Sequence, residues 1–490
     1  MCPRNRQNMT NLKSAVLLLL LSFAALAQSP PADPATVLAR ILAEKGAITS
    51  ADLSKVETAA EGERVTILAG LLQQKGLLTG ADLARLSIAP RPPAPPPPQG
   101  PQQKEAPPVV AQSKVPVTLY GNLLLNAFVD TAGMNIQDVP LFTGKQGSDP
   151  SGGDKSFGMT ARQSRFGLRY QGPNVGGAAI GGQVEVDFFG GSAALANGVN
   201  MDLLRLRLAY GRLDWQNFSL EAGQDWSVFA PLNPTSLAEY AIPSLSTSGN
   251  LWIRTPQIRA EYRESLGDSN RLVWQIAATD PNMGDYSTTT FQTVRTPGIG
   301  ERGRMPAADA RLAFTTRSDG RDFSFGLSSH YGHGKNFGTI GTQNVQTSVD
   351  SWGVALDYSL PVTSFLALTG EAFEGRALGI FSGASGEAIG PPGTPGQHGV
   401  ETRGGWAQAQ INFTHKWQTN LAYGIEVPNA SQLPVGNRSR NRTYMANIMY
   451  KISPAFTWSW EYRRLLTDFR NQLAAGERGG QVNMALAYMF

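Results

Sequence analysis

The sequence predicts an all-β protein, a 16-stranded antiparallel transmembrane β-barrel that follows a small N-terminal α-helical repeat region. Three observations lead to this prediction. Large apolar residues alternate with polar ones from residue 116 to residue 490, short and long links take turns between the alternating segments, and aromatic residues recur at one end of every second segment. A closed barrel in a bilayer combines these features, because each strand has one face toward lipid and the other toward the lumen.

The first 27 residues predict a cleaved export signal. Three basic residues, Arg4, Arg6 and Lys13, precede an apolar run over residues 15–25, and Ala25-Leu26-Ala27 has the small-x-small pattern of a cleavage site. The run is too short to span a bilayer. We therefore expect residues 1–27 to be a signal peptide.

Composition after the signal excludes several classes of protein. The signal contains three of the positive charges and no negative ones, so its removal lowers the formal net charge from +4 to +1. Such a balance predicts no nucleic-acid partner. The single cysteine, Cys2, lies within the signal, which leaves the mature chain without disulfides or thiol chemistry.

Residues 28–89 are predicted to be a periplasmic helical repeat region. "ATVLARILAEKGAITSADLSKV" aligns with "VTILAGLLQQKGLLTGADLARL" at an offset of 30 residues. Each unit predicts a helix that ends at Gly46 or Gly76, then a second helix capped by Thr49 with Asp52, or by Thr79 with Asp82. Two interpretations stay open: a small four-helix appendage, and a module for periplasmic docking or self-association.

A proline-rich stretch, "PRPPAPPPPQGPQQKEAPP", lies within residues 90–115. Proline at this density favours extended polyproline II conformation, so we expect this part of the chain to be a linker without a site of its own.

The barrel domain is predicted over residues 116–490. In "LLRLRLAY", for example, Leu204, Leu206, Leu208 and Tyr210 form one face, and the arginines lie on the other. The reverse orientation would place arginines in hydrocarbon, at a cost of about 2–4 kcal/mol each near the midplane. Sixteen segments are expected, beginning near Val117, Ser164, Ile180, Leu204, Phe218, Gln257, Leu272, Ala308, Phe323, Trp352, Leu366, Ala407, Trp417, Tyr444, Phe456 and Val482.

Links and aromatic residues favour a membrane barrel over a soluble β-sandwich. Short links such as "DWQN" and "SDGR" alternate with long ones such as residues 131–161, 279–305 and 376–403. Aromatic side chains at one level form the girdle that a bilayer interface favours. The predicted girdle consists of Tyr170, Tyr210, Tyr262, Phe314, Tyr358, Phe413, Tyr450, Tyr488 and Phe490.

No convincing catalytic, cofactor or metal site is found in the sequence. The four histidines, His330, His333, His398 and His415, lack metal-ligand spacing. "GIGERG" matches the dinucleotide pattern but follows no buried strand and opens no helix. We therefore expect no cofactor, no metal and no enzymatic activity.

Charged residues on the inward faces of consecutive strands are the candidate functional residues. One interpretation is a structural ladder in which each arginine pairs with a carboxylate on a neighbouring strand. The other is a charged wall along a water-filled channel that attracts anions, since a guanidinium binds two carboxylate or phosphate oxygens at once. The set comprises Arg165, Arg169, Glu185, Asp187, Arg205, Arg207, Arg259, Glu261 and Arg263.

The segments "RQSRFGLRY", "QVEVDFFGG", "LLRLRLAYGRL", "LEAGQDWSVFAPLNP" and "RTPQIRAEY" occur in this order over residues 162–262. They resemble the DcaP-like outer-membrane porins. The resemblance implies a trimeric, 16-stranded pore for dicarboxylates and similar small anions. It also implies that a long loop over residues 227–250 folds into the lumen, where Glu239 and Tyr240 would face the arginines. Family members typically have an apolar coiled-coil segment before the barrel, whereas glycines interrupt the repeats here.

These observations predict an anion-preferring porin in the Gram-negative outer membrane, with the N-terminal region in the periplasm. The expected partners are membrane lipid, small anionic solutes, two further copies in a homotrimer, and peptidoglycan or a periplasmic protein bound through residues 28–115. Two alternatives stay open: a plugged barrel that anchors the envelope through its N-terminal repeats, and an outer-membrane hydrolase.

Overall fold

The computed structural model describes residues 33–44, 46–60, 63–75, 116–145, 154–191, 202–284, 296–471 and 476–490. The chain separates into two compact units, Met1–Ala111 and Gln112–Phe490. The predicted signal peptide and proline-rich linker lie outside the described residues, as do Gly76, Thr79 and Asp82 of the second repeat.

Three helices form the described part of the first unit: α1 (Pro34–Glu44), α2 (Ser50–Thr58) and α3 (Arg64–Gln74). Thr49 and Asp52 make the predicted capping box at the start of α2. Hydrogen bonds from Thr49, together with Lys75, lower the pKa of Asp52 to about 2. The helices pack around a small apolar core that includes Ala39 and Val56. No helix in the described part of the chain is long and apolar enough to cross a membrane.

The second unit is the predicted closed barrel of 16 antiparallel strands. Its second strand is interrupted at residues 161–164 and consists of β2 and β3, which both pair with β1. The strands are β1 (Val117–Asp130), β2 (Ser156–Thr160), β3 (Arg165–Gln171), β4 (Ala179–Asp187), β5 (Arg205–Asp214), β6 (Phe218–Trp226), β7 (Arg254–Leu266), β8 (Asn270–Thr279), β9 (Ala307–Ser318), β10 (Arg321–Ile340), β11 (Gln343–Leu360), β12 (Leu366–Arg376), β13 (Glu401–Asn412), β14 (Trp417–Pro428), β15 (Arg438–Lys451), β16 (Phe456–Phe469) and β17 (Glu477–Met489).

Burial follows the predicted two-residue period. Outward-facing apolar residues such as Ile258 and Ile276 are each 62% exposed, whereas the inward-facing Glu221 and Asp309 are buried. Links are short at one end of the barrel and mostly long at the other. The exception is the link between β10 and β11, which is a tight turn because these two strands continue well beyond their neighbours.

A β-bulge in β5 corrects one predicted position of the aromatic girdle. The register of β5 against β4 shifts by one residue at Arg207, so Leu208 pairs with Glu185 and Tyr210 pairs with Gln183. A bulge of this kind reverses the alternation beyond it. The Tyr210 hydroxyl consequently donates to the Gln183 side chain, 3.3 Å away, on the inner face. The prediction that Tyr210 and Leu208 face lipid was wrong.

Candidate functional site

Residues 227–250, here called the inward segment, form most of the link between β6 and β7 and lie inside the barrel. Hydrogen bonds join the segment to strands on every side. Leu232 donates its N–H to Glu371 of β12 (2.7 Å), Thr235 donates to Gln408 of β13 (2.7 Å), and Asn126 of β1 donates to the Leu237 carbonyl (3.0 Å). Further bonds reach Asp309 of β9, Thr443 of β15 and Glu461 of β16. A loop bound to so many strands must cross the lumen.

Two arginines of β5 and two carboxylates of β4 form a compact charged cluster, here called the quartet: Glu185, Asp187, Arg205 and Arg207. Arg207 contacts Glu185 at 2.7 Å and Asp187 at 3.0 Å, and Arg205 contacts Asp187 at 2.6 Å. Arg205 also donates to the Ala241 carbonyl of the inward segment, 2.8 Å away. The quartet therefore has the geometry of a ladder, with its positive and negative charges in balance.

Two further arginines adjoin the quartet without balancing carboxylates of their own. The Arg165 guanidinium lies 3.8 Å from the centre of the Tyr240 ring and donates to the Tyr240 carbonyl at 2.8 Å. Its nearest carboxylate, Glu185, is 3.6 Å away and already binds Arg207. The charge of Arg254, at the start of β7, interacts with those of Arg165, Arg205, Arg207 and Asp187. The quartet together with Arg165 and Arg254 thus forms a cluster of four guanidinium groups and two carboxylates.

The other arginines of the predicted wall lie away from this cluster. Arg259 binds Glu221 at 2.8 Å and Asp225 at 3.0 Å, whereas Arg263 binds Glu261 at 2.6 Å near the short link between β5 and β6. Arg169 is exposed and lies over the Tyr120 ring at 4.9 Å. These three residues are spread along the height of the barrel rather than gathered at one level.

Glu239 has a different partner from the one expected. It pairs with Arg463 of β16, which also binds Glu461, with 2.7 Å between Arg463 Nε and Glu461 Oε1. Burial, together with the nearby negative charge of Glu461, raises the pKa of Glu239 to about 7 against the lowering effect of Arg463. Tyr240 lies against the predicted arginines and Glu239 does not, so the two neighbours bind different sides of the barrel.

Comparison with solved structures identifies the fold. The crystal structure of the outer membrane channel DcaP of Acinetobacter baumannii matches with a TM-score of 0.55 and 19% sequence identity, over 77% of this chain and 98% of that chain. The chain has the fold of an outer-membrane porin. Pseudomonas putida OprB (TM-score 0.48, 10% identity, 76% and 94% covered) and an anion-selective porin from Comamonas acidovorans (0.43, 15%, 77% and 100%) are more distant. No family model and no curated protein matches the sequence.

The porin fold here has an apolar cluster at its long-loop end that the sequence did not reveal. Phe229, near the start of the inward segment, and Leu251, directly after its end, pack against Leu378 and Phe381 of the link between β12 and β13. Trp252 donates its backbone N–H to the Phe381 carbonyl at 3.1 Å. Two long loops are therefore packed together inside the mouth of the porin barrel.

A buried chain of hydrogen bonds runs from Ser351 through His330 to Asp309. His330 Nδ1 lies 2.7 Å from Asp309, and its Nε2 lies 3.2 Å from the Ser351 hydroxyl. The same residue types form hydrolase triads, and this pairing was not recognised in the sequence. Here Ser351 is 1% exposed and donates to the Ala377 carbonyl at 3.0 Å, so its oxygen is neither accessible nor activated. Asp309 also accepts from Ser227 at 2.6 Å, which fixes the start of the inward segment.

Sequence reasoning missed Arg254 and Arg463. Arg254 stands in "LWIRTP", before a proline at the end of a long link, and was not assigned to a strand. The alternation of Trp252 and Arg254 with smaller residues could have indicated that a strand begins before Gln257. Arg463 follows the inward period of β16, but its partner Glu239 belongs to a distant loop, so no local pattern indicated the pair.

Proposed function

We propose that the protein is an outer-membrane porin through which small hydrophilic solutes diffuse passively, with a preference for anions and in particular for dicarboxylates. The observation that supports this function is the surplus of two guanidinium groups in the cluster that the quartet forms with Arg165 and Arg254. The four arginines of this cluster are offset, among the described residues that belong to it, by the carboxylates of Glu185 and Asp187. Fixed positive charge in a water-filled constriction concentrates anions and repels cations.

The organisation of the whole chain follows from this function. We infer that residues 1–27 direct export, that residues 28–89 lie in the periplasm, and that residues 90–115 link them to a barrel in the Gram-negative outer membrane. A homotrimer is the assembly that best fits a barrel of this architecture. Catalysis is not part of the proposal, because Ser351 is enclosed and its hydroxyl binds a backbone carbonyl.

Liposome swelling tests the channel directly. Vesicles that contain the purified protein are placed in isotonic solutions of a small neutral sugar, or of potassium succinate with valinomycin, which lets potassium enter with the anion. A diffusion channel predicts swelling in both solutions, faster for succinate at equal solute size. Impermeable vesicles that contain folded, heat-modifiable protein would contradict the proposal.

The packed loops favour one rival function, a plugged barrel that anchors the envelope. Phe229, Leu251 and Phe381 form an apolar core within the barrel mouth, as a plug requires. Deletion of residues 28–111 separates the two functions. The porin proposal predicts that vesicles with the shortened protein still swell. An anchor predicts that neither the full-length nor the shortened protein causes swelling, and that the deletion abolishes attachment to the cell wall.

A further inference from the structure

The guanidinium of Arg254 packs beside two tryptophan rings. Its Cζ lies 4.7 Å from the centre of the Trp226 ring and 5.0 Å from that of Trp252, and the two ring centres are 6.1 Å apart. Trp226 and Arg254 are directly paired across β6 and β7. The two ring centres are too close together for the guanidinium to lie between them, so the indoles flank it on adjacent sides and restrict its rotation.

No described residue neutralises or hydrogen-bonds this guanidinium. Arg205, Arg207 and Arg259 each have a carboxylate within 3.0 Å. Arg254, in contrast, has no carboxylate within 4 Å in the described part of the chain, and its buried Nη1 has no hydrogen-bond partner there. The nearby Trp252 Nε1 is a second buried donor without a described acceptor. Leaving buried donors unpaired costs about 1–3 kcal/mol each, more for a charged group.

Neighbouring charges increase the need for an anion at this position. The charges that act most strongly on Arg254 are those of three further cations, Arg165, Arg205 and Arg207, and of one carboxylate, Asp187. Asp187 is already bound to Arg205 and Arg207. A mobile anion beside Arg254 would satisfy the unpaired donors and reduce the repulsion among the arginines.

We propose that Arg254, with Trp226 and Trp252, forms a saturable binding site for a carboxylate anion in the channel. The inference rests on the proposed porin function and assigns its anion preference to a discrete site. The guanidinium presents a fork of N–H donors, of which Nη1 is unpaired among the described residues. The two oxygens of a carboxylate match that fork, and Trp252 Nε1 supplies a third donor. Chloride, a single sphere, cannot engage the fork in this way.

Block of chloride current by acetate tests the site. Acetate is added to channels in a planar bilayer bathed in KCl, and the concentration that halves the chloride current is measured. The wild-type protein should show saturable block. Arg254→Lys keeps the charge but loses the fork and should raise the half-blocking concentration at least tenfold. Trp252→Phe keeps the ring but loses the N–H donor and should raise it about threefold or more.

Arg311→Lys is the matched control, because Arg311 is an inward arginine that already binds a carboxylate, Asp357, at 2.7 Å. Its half-blocking concentration should equal that of the wild type. Equal block in the wild type and in Arg254→Lys, or current that falls only in proportion to the acetate fraction, would overturn the site and leave the porin function intact.

Calorimetric titration of acetate into the detergent-solubilised protein measures the same site without a current. Binding that disappears in Arg254→Lys, from a protein that does not conduct, would retain the carboxylate site and reject the porin function. Absence of heat from a conducting protein would overturn the site alone.

Discussion

Gly121 and Phe490 exchange two backbone hydrogen bonds, of 3.0 and 3.1 Å, where β17 meets β1. The pairing of these strands continues from Asn122 with Met489 to Asp130 with Gln481, and it closes the barrel. A side chain at position 121 has no room, because a Cβ there would lie 2.4 Å from the Arg165 carbonyl oxygen and 2.9 Å from the Phe490 ring. The seam therefore depends on glycine at this position.

Gly121→Ala is expected to destabilise the barrel by about 1–3 kcal/mol, since the added carbon forces β1 away from β3. Heat modifiability on SDS gels measures the effect as a lower unfolding temperature. Gly181→Ala is the control, because a Cβ at this inward strand position meets nothing closer than 3.6 Å. Equal unfolding temperatures for the two variants would contradict the close packing at the seam.

Ion selectivity should depend on the surplus arginines and not on the quartet. Neutralising Arg205 and Arg207 alone would leave two buried carboxylates unpaired, at about 3–5 kcal/mol. All four members are therefore changed together, as Glu185→Gln, Asp187→Asn, Arg205→Gln and Arg207→Gln. This charge-balanced variant should keep the wild-type reversal potential, whereas Arg165→Gln with Arg254→Gln should shift it toward zero. The opposite pattern would place the filter in the quartet.

The attachment of the inward segment at Glu239 should weaken as pH rises. Its pKa is raised by burial from an ordinary value of 4.5 to about 7. The folded protein therefore binds this proton more tightly than the unfolded chain. The resulting stabilisation is complete below about pH 4.5 and is lost as pH rises through about 7.

Single-channel recordings at pH 5 and pH 8 test this sign. We expect more frequent current fluctuations at pH 8 in the wild-type protein, and none of this pH dependence in Glu239→Gln. Glu264→Gln, near the short-link end of β7, should retain it. A wild-type channel that is noisier at pH 5 than at pH 8 would refute the assignment.

Asp309 should matter for stability and Ser351 should not matter for catalysis. Asp309→Ala removes the acceptor of both Ser227 and His330 and should cost about 1–3 kcal/mol for each donor left unpaired, seen as a lower unfolding temperature and a less stable inward segment. Ser351→Ala removes the hydrogen bonds to His330 and to the Ala377 carbonyl and should cost about 1–3 kcal/mol in total. Ester hydrolysis by the wild-type protein that is lost in Ser351→Ala would instead establish a hydrolase.

The barrel was predictable because lipid imposes a two-residue period on every strand. That period placed Arg205 and Glu185 on one face without knowledge of their partners. It failed at Tyr210, because a bulge at Arg207 inserts one residue that the apolar and polar pattern does not mark. Local patterns thus indicate which face a side chain takes until the register shifts.

The constriction was less predictable because its contacts join distant parts of the chain. Glu239 meets Arg463, and Ser227 meets Asp309, through a loop whose path depends on hydrogen bonds to strands all around the barrel. Which carboxylate each arginine of the quartet binds likewise depends on distances that the residue types do not reveal. Arg254 illustrates the limit, since its importance comes from the partner that it lacks among the described residues.

The reversal potential of the wild-type protein under a KCl gradient tests the proposed function most directly. Purified protein is reconstituted in a planar bilayer, and the zero-current potential is measured for stepwise conductance events. The two surplus guanidinium groups of the cluster around the quartet predict a potential whose sign corresponds to chloride permeating faster than potassium. A potential of the opposite sign would contradict the arginine filter, and a silent bilayer from folded protein would contradict the channel itself.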